Sequence, residues 1–497
     1  MRIGIELVQI HPQQSGGCLQ LLQGVLPHLF HLGAHDQFFL YCSPAGWQPA
    51  GRYPANVTVT VLDLGGYWYH TVGAAAAADR LDVLFRPYPA DAPVTFPPER
   101  LLVLVPDLQH EMMPECFSAA VLAQRRAAFG PAITQAGAVA VLAEHGRRLL
   151  EERYPQRYGD VFLLPPASPL DESVLNTPLA PADEARLPRQ PYFLFPANLW
   201  PHKNHRRLIE AFARFRAGRT DDTALVFTGD PAPWPELSRL CGDLPVYHLG
   251  YVGLRLLAEL YRRAVALVYF SLFEGFGIPL LEAFHLGTPV LCGNTTTLPE
   301  IGGEAVLTCD PTDVGAMAEL MARVAGNRGL REELVAAGRR RIGRYRWEDS
   351  ARNLHDACRR VAARPARHES TLATLESIYR SYQGEGGLVT QQHQDIVSLK
   401  NYLVAEKAEA EQRLRLLHEA TAGLRLLEAE CAARLDIIHR QVEQLENQAK
   451  RVRDMEGTIQ ALQQQLNQAT APFLTRVRQG LKRLGSMGNP GGAKNAG

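Results

Sequence analysis

Two doubly wound α/β domains in tandem, followed by a long helical region, form the architecture this sequence predicts. Three observations predict it. Short apolar runs alternate with amphipathic stretches in two successive series, a Pro-rich stretch separates the series, and a seven-residue repeat almost free of Gly and Pro follows them.

The first series is expected to form a domain over residues 1–185. Its apolar runs are RIGIELV (2–8), FFLYC (38–42), VTVTVLDL (57–64), DVLFRP (82–87), LLVLVPD (101–107) and AVAVLA (138–143). Apolar runs of this length between helical stretches describe βαβ units and a parallel sheet buried on both faces. The stretches LLPPASPLDE (163–172) and LAPADEARLPRQP (179–191) read as a linker. The second domain is expected over 186–365. Its strand candidates are YFLFPAN (192–198), ALVFTGD (224–230), VYHLGYV (246–252), ALVYFS (266–271) and PVLCG (289–293). HRRLIEAFARFRA (205–217) and LLAELYRRA (256–264) supply amphipathic helices between them. Ligands of such sheets sit outside the carboxyl ends of the strands, so the cleft between two facing sheets is the expected site.

Residues 366–470 have a different texture. Leu417, Leu424, Cys431, Ile438, Leu445 and Val452 recur every seven positions. Leu414, Leu435, Val442 and Ala449 form a companion seam, which Thr421 and Glu428 interrupt. This predicts a coiled coil rather than a single exposed helix. Eighty such residues would span roughly 120 Å. In 471–497, Phe473, Leu474, Val477, Leu481 and Leu484 share a helical face, with Arg476, Arg478, Lys482 and Arg483 around the rest. Contact with an anionic membrane surface and a frayed basic helix end both fit that pattern. The tail after it is expected to be disordered.

Composition narrows the function classes. A chain of 497 residues exceeds the ~250–300 at which one core stops growing. The formal net charge of +0 gives no global attraction to nucleic acid or membrane. The eight cysteines form no CxxC pair and are expected to be reduced cytosolic thiols. MRIGIELVQI runs directly into a strand pattern without the features of a secretory signal, and no apolar run reaches the ~18 residues of a membrane span. The expectation is a cytoplasmic protein.

The chemistry concentrates at EGFGIPLLE (274–282), where Glu274 and Glu282 flank a segment that cannot be one continuous helix. Gly275 and Gly277 allow close backbone approach, and Pro279 suits a first helical turn. Glu274 therefore belongs to a loop at a strand's carboxyl end, and Glu282 to the helix that follows. Free N–H groups at such a helix start attract anions, while carboxylates suit the paired hydroxyls of a sugar or ribose. Glutamates that merely favour a helix dipole would account for Glu282 alone. Lys203, in NLWPHKNHRRLIEAF (198–212), stands at another strand–helix junction. A cation there is placed to neutralise a departing diphosphate.

The segment EGFGIPLLEAFHLGTPVLCGNTTTLPEIGGEAVLTCDPTD (274–313) resembles the retaining glycosyltransferases of family 4, whose signature is E-x7-E followed by an LPE segment. PHKNHRRLIEAF resembles their diphosphate-binding lysine segment, PDLQHEMMPECFS (106–118) an acceptor-domain motif, and RYRWEDSARNL (344–354) their crossover helix. The resemblance covers roughly residues 1–365 and implies the GT-B fold, two Rossmann-like domains facing across a cleft. It implies that Glu282 holds the donor ribose, that Glu274 contacts the transferred sugar, and that Gly275, Phe276 and Gly277 offer backbone to sugar and diphosphate. It further implies that Lys203 neutralises the diphosphate, that Gly16 and Gly17 form a glycine loop near the phosphates, and that Thr296, Thr297 and Leu298 lie beside them. Tyr251 and Val252 fall in the stretch whose backbone lines the nucleobase pocket. The family works without a bound metal or other cofactor.

Three departures stand out. The stretch PANLWPHK lacks the arginine that many relatives carry before the lysine. Pro106-Asp107 replaces their His-Asp, leaving His110 as the nearest histidine to contact sugar or acceptor. AEHG (143–146) replaces a serine-rich segment, with Glu144 and His145 in place of hydroxyls. The resemblance implies transfer of a hexose from GDP-mannose or a UDP-hexose to a glycan or lipid-linked acceptor, with retained anomeric configuration, in bacterial surface polysaccharide synthesis. The coiled coil suggests self-association or partner docking, and the basic segment a peripheral contact at the cytoplasmic face of the inner membrane. The alternative is a catalytically idle GT-B module serving as a coiled-coil scaffold.

Overall fold

The structure, a computed structural model, describes residues 1–10, 16–44, 46–47, 53–62, 68–89, 96–232, 234–364 and a few helical positions between 454 and 465. The chain divides into two units, Met1–Tyr379 and Arg380–Gly497. Apart from those helical positions, the expected coiled coil and basic segment lie outside the described residues.

The first unit contains two parallel sheets. Its first half runs β1 (Arg2–Glu6), α1 (Gly16–Leu32), β2 (Gln37–Cys42), β3 (Val57–Val61), α2 (Trp68–Ala78), β4 (Val83–Arg86), β5 (Leu101–Leu104), α3 (Gln109–Met112), α4 (Ala119–Gln135), β6 (Ala138–Val141), α5 (Glu144–Arg153) and β7 (Asp160–Leu163). The strands form a seven-stranded sheet in the order β3-β2-β1-β4-β5-β6-β7. Order reverses at β1, where Ile5 is in register with Leu40 on one side and Phe85 on the other. Alternation along the strands builds two cores. Ile3, Ile5, Val83 and Phe85 pack toward α1, while Leu84, Val103 and Val139 pack with Phe129 and Ile133 of α4.

The passage to the second half was expected to be a linker, and it is ordered. It carries two one-turn helices, α6 (Glu172–Asn176) and α7 (Pro181–Glu184). Asp171 caps α6 by accepting the Val174 N–H at 2.9 Å, and Leu187 is buried in the second core. The rest runs β8 (Tyr192–Pro196), α8 (His205–Arg216), β9 (Ala224–Thr228), α9 (Trp234–Leu237), β10 (Val246–His248), α10 (Leu254–Arg263), β11 (Ala266–Tyr269), α11 (Ile278–Leu286), β12 (Val290–Gly293), α12 (Leu298–Gly302), β13 (Val306–Cys309), α13 (Val314–Gly326), α14 (Arg328–Ile342) and α15 (Trp347–Ala362). These strands form a six-stranded sheet in the order β10-β9-β8-β11-β12-β13, reversing at β8.

The last helix does not stay with the second sheet. Ala351, Leu354, Ala357, Cys358 and Val361 of α15 are buried in the first core, against α1. His355 Nε2 meets the Asp36 carboxylate at 2.6 Å. No helix of the described residues is long and apolar enough to cross a membrane.

Candidate functional site

The site is built where two loops of the second sheet are tied together. After β8 the chain makes a single 3₁₀ turn, Pro201–Lys203, and leaves it through Asn204 in the left-handed region at φ 64°. Asn204 is buried, and its Nδ2 donates to the carbonyls of Phe270 at 3.0 Å and Pro311 at 2.7 Å. The Leu272 N–H donates to the His202 carbonyl at 2.8 Å. The lysine turn is thereby fixed on the loop that follows β11.

That fixing brings two sequence-predicted residues into contact. Lys203 Nζ donates to Glu274 Oε1 at 2.6 Å and to the Tyr269 hydroxyl oxygen at 3.1 Å. The lysine and glutamate side chains are 11% and 10% exposed. Burial between the pair and its neighbours pushes the Tyr269 phenol well above its usual range. The Glu274 backbone is held as well. Its N–H donates to Thr296 Oγ1 at 3.1 Å, and the Thr297 hydroxyl donates to the carbonyls of Glu274 at 3.1 Å and Phe276 at 2.8 Å. Thr296 sits at φ 53°, a conformation that β-branched residues seldom adopt.

Gly275 and Gly277 lie where the backbone packs or turns tightly. Gly277 adopts φ 108°, and a Cβ there would lie 2.9 Å from Leu298 Cδ2. A Cβ on Gly275 would meet the Pro106 carbonyl oxygen and would lie 3.1 Å from the Asp107 Cβ. The Glu274 loop of the second sheet therefore touches the carboxyl end of β5 in the first. Gly16 opens α1 at φ 36°, and a Cβ on Gly17 would lie 3.8 Å from Ile278 Cδ1. The glycine pair thus faces the start of α11. Phe276 is buried, edge-on to Tyr345 at 5.7 Å.

Glu282 lies one helical turn into α11 and is 3% exposed. Tyr261 of α10 donates its hydroxyl to Glu282 Oε2 at 2.7 Å. Burial pushes the Glu282 carboxyl up to about 7, and the Tyr261 bond opposes the shift. The two glutamates of the motif thus have separate partners, one a cation and one a phenol. Tyr251 is exposed and Val252 half-buried, beyond the carboxyl end of β10. Arg186 Nη2 fixes this stretch, donating to the carbonyls of Leu249 at 2.7 Å and Tyr251 at 3.1 Å.

His110 is placed differently from what its sequence position suggested. It falls in the one-turn α3, is fully buried, and meets the Phe129 ring edge-on at 4.5 Å. Neither ring nitrogen has a hydrogen-bond partner. Burial, with Arg125 and Arg126 nearby, pushes its imidazole down to about 4. The structure does not bring it to the Lys203–Glu274 pair. Asp107 is there instead. Its Oδ1 accepts the Gln109 N–H at 3.0 Å and lies 3.8 Å from Arg125 Nη1. Burial raises its carboxyl, and Glu274 raises it further against the pull of Arg125 and Lys203.

A small cavity of about 20 Å³, room for one water, lies where the two halves meet. Asp107, His145, Glu274, Gly275 and Thr297 are among its walls. Glu300, at the second sheet's edge, reaches across beside it. Its Oε1 accepts the Glu144 N–H and its Oε2 the His145 N–H, both at 2.8 Å. A carboxylate so placed satisfies two free donors at the N-terminus of α5 and complements the helix dipole. Arg341 holds the other side, donating to the carbonyls of Ile301 at 2.9 Å and of Glu300. Sequence reading had not given functional weight to Asp107, Arg125, His145 or Glu300. The signals were present only as departures from a pattern (Pro106-Asp107 and AEHG) and as the last residue of LPE.

Two parallel sheets, loops gathered at the carboxyl ends of the second, and a terminal helix that returns to the first define a GT-B fold. Solved structures agree. Sucrose-phosphate synthase from Thermosynechococcus elongatus superposes with a TM-score of 0.56 at 18% identity, covering 73% of this chain and 99% of that one. WaaG, a glycosyltransferase involved in lipopolysaccharide biosynthesis, gives 0.54 at 17% identity, covering 71% and 98%. Within the fold, residues 178–341 match the family model described as glycosyl transferases group 1, so the second half carries that domain. O-antigen chain mannosyltransferase B of Escherichia coli is 34% identical over 165 residues, 32% of this chain and 43% of that protein. The MMP alpha-(1->4)-mannosyltransferase of Mycolicibacterium hassiacum is 30% identical over 173 residues, 33% and 42% of the two chains. The matches span less than half the length of these relatives.

Proposed function

We propose that this protein transfers mannose from GDP-mannose to a glycan or lipid-linked acceptor hydroxyl, with retention of anomeric configuration, in the synthesis of a bacterial surface polysaccharide. The observation that carries the reading is the Lys203–Glu274 pair, held by Asn204, Thr296 and Thr297 on the loops of the group 1 domain. The similarity of this domain to mannosyltransferases supports mannose as the sugar.

In this reading the donor diphosphate draws Lys203 away from Glu274, and the ammonium stabilises the leaving group. Glu274, freed of its cation, accepts hydroxyls of the transferred sugar. Glu282 accepts ribose hydroxyls. The acceptor oxygen bonds to the anomeric carbon as the bond to the diphosphate breaks, and the leaving diphosphate takes up the acceptor proton, so no protein nucleophile is required. Enclosure of the site between Gly275 and Pro106 limits attack by water. In the same reading, a lipid-linked acceptor would be met at the cytoplasmic face of the inner membrane.

The test is thermal stabilisation of the full chain by GDP, GDP-mannose, UDP and UDP-glucose, beside Glu282→Ala. A ligand that binds only the folded state raises Tm. A shift with the guanine pair that is lost in the variant is expected. A shift with the uracil pair alone would replace the donor. No shift with any nucleotide would overturn the reading and leave the idle scaffold.

A further inference from the structure

The proposed transfer leaves a gap on the first-domain wall, and a residue of the altered AEHG segment (143–146) fills it. Pro106 stands where a histidine would face the sugar. Its ring offers no hydrogen-bonding atom, and its carbonyl is covered by Gly275. His110 is enclosed against Phe129 and does not reach the cavity.

A second histidine is placed at that cavity. His145 stands in the first turn of α5 and lines the cavity shared by Asp107, Glu274 and Gly275. It is half-buried, and among the described residues no hydrogen bond is made to its ring. Its backbone is not free to drift, because its N–H and that of Glu144 are held by the two oxygens of Glu300. The clamp comes from the helix that follows Thr296 and Thr297, the residues that hold the Glu274 backbone. One rigid piece of the second domain thus fixes both Glu274 and the base of His145.

We propose that His145 contacts the substrate directly, hydrogen-bonding one hydroxyl of the sugar being transferred, a hydroxyl that would occupy the water-sized cavity that His145 shares with Glu274. Burial and the nearby Arg148 hold its imidazole below the usual range, so the ring is neutral near pH 7 and offers one donor and one acceptor. A neutral ring also suits a site where Lys203 and Arg125 already supply positive charge. The assignment rests on the donor reading above, and its test separates the two.

The test compares the affinities of GDP and GDP-mannose by calorimetry for the full-length wild type, His145→Ala and His145→Gln, with UDP and UDP-glucose in parallel. GDP affinity is expected to stay within about twofold in all three proteins. The gain in affinity brought by the sugar is expected to fall about 3- to 10-fold in His145→Ala, the fold-change of one neutral hydrogen bond. His145→Gln, which keeps a donor and an acceptor, recovers part of it. An unchanged sugar gain in His145→Ala overturns the assignment while leaving the donor reading intact. Loss of GDP affinity in the same variant also overturns it, because the residue would then act through the fold. If wild type binds no nucleotide, the donor reading fails and this assignment with it.

Discussion

The buried pair at the centre of the site predicts a specific pattern of coupling. Lys203 Nζ and Glu274 Oε1 are 2.6 Å apart, in side chains only 11% and 10% exposed. At an effective dielectric constant of ~20, two unit charges at that distance attract by about 6 kcal/mol. Desolvating both groups offsets most of that, so a neutral pair of the same shape would be nearly as stable. Removing one partner is different, because the remaining charge stays buried without its counter-ion. Lys203→Met and Glu274→Gln should each destabilise by about 3 kcal/mol, and the double variant by about 1 kcal/mol or less. Urea titration of the four proteins at low ionic strength gives the coupling energy of the cycle. A coupling below ~0.5 kcal/mol, the size found for exposed pairs, would refute the reasoning. The same pair makes an opposed prediction for ligand. Glu274 competes with a diphosphate for the ammonium, so Glu274→Gln should keep or raise GDP affinity. Lys203→Met should lower it about 10- to 100-fold, the loss of one charged hydrogen bond.

Two further predictions concern other parts of the cleft. The Glu282 carboxyl is raised from 4.5 to about 7 in the folded chain. The folded state therefore holds the extra proton between those values, and stability falls by up to about 3 kcal/mol as pH rises through that window. Glu282→Gln lacks this loss, so its Tm relative to wild type should climb from pH 5 to pH 8; a constant difference would argue against a buried, protonated glutamate. Glu300→Ala removes the acceptor of two N–H groups at the start of α5. Amide hydrogen exchange of Glu144 and His145 should accelerate by about tenfold or more, and unchanged protection would mean the clamp contributes nothing.

Much of this architecture was legible because its strands are continuous apolar runs. Those at β1 to β6 and β8 to β12 read as parallel strands, and they form them, although the edge strands β3 and β10 are half-exposed rather than buried. Two strands escaped notice for physical reasons. Asp160–Leu163 opens on an exposed aspartate and runs into a Pro-rich stretch, while Val306–Cys309 is a half-exposed edge strand of four residues. The Pro-rich stretch itself read as linker because a one-turn helix has no periodicity to detect. In the site, Glu274 and Glu282 were legible because one loop and one helix carry both. Lys203 was legible because a cation at a strand–helix junction needs a reason. The first-domain wall was not. Glu300 meets His145 across 155 residues of sequence, and no local pattern encodes such a contact. His110 misled for a related reason. It follows the strand end closely, but a single turn of helix aims it at Phe129 instead of the cleft.

The return of α15 to the first core means that the chain passes between the two halves twice, once through the stretch that carries α6 and α7 and once between α14 and α15. A body hung on one tether can swing in any direction. One hung on two tethers turns like a door, about the line that joins them. Any motion between the halves is thereby reduced toward a single angle, and Glu300, held by Arg341 at the end of α14, ties them beside one of the two crossings. The same double passage protects the molecule from damage. A cut in the exposed stretch around Thr177 would sever the backbone but leave the halves fastened, because α15 would still be gripped by α1.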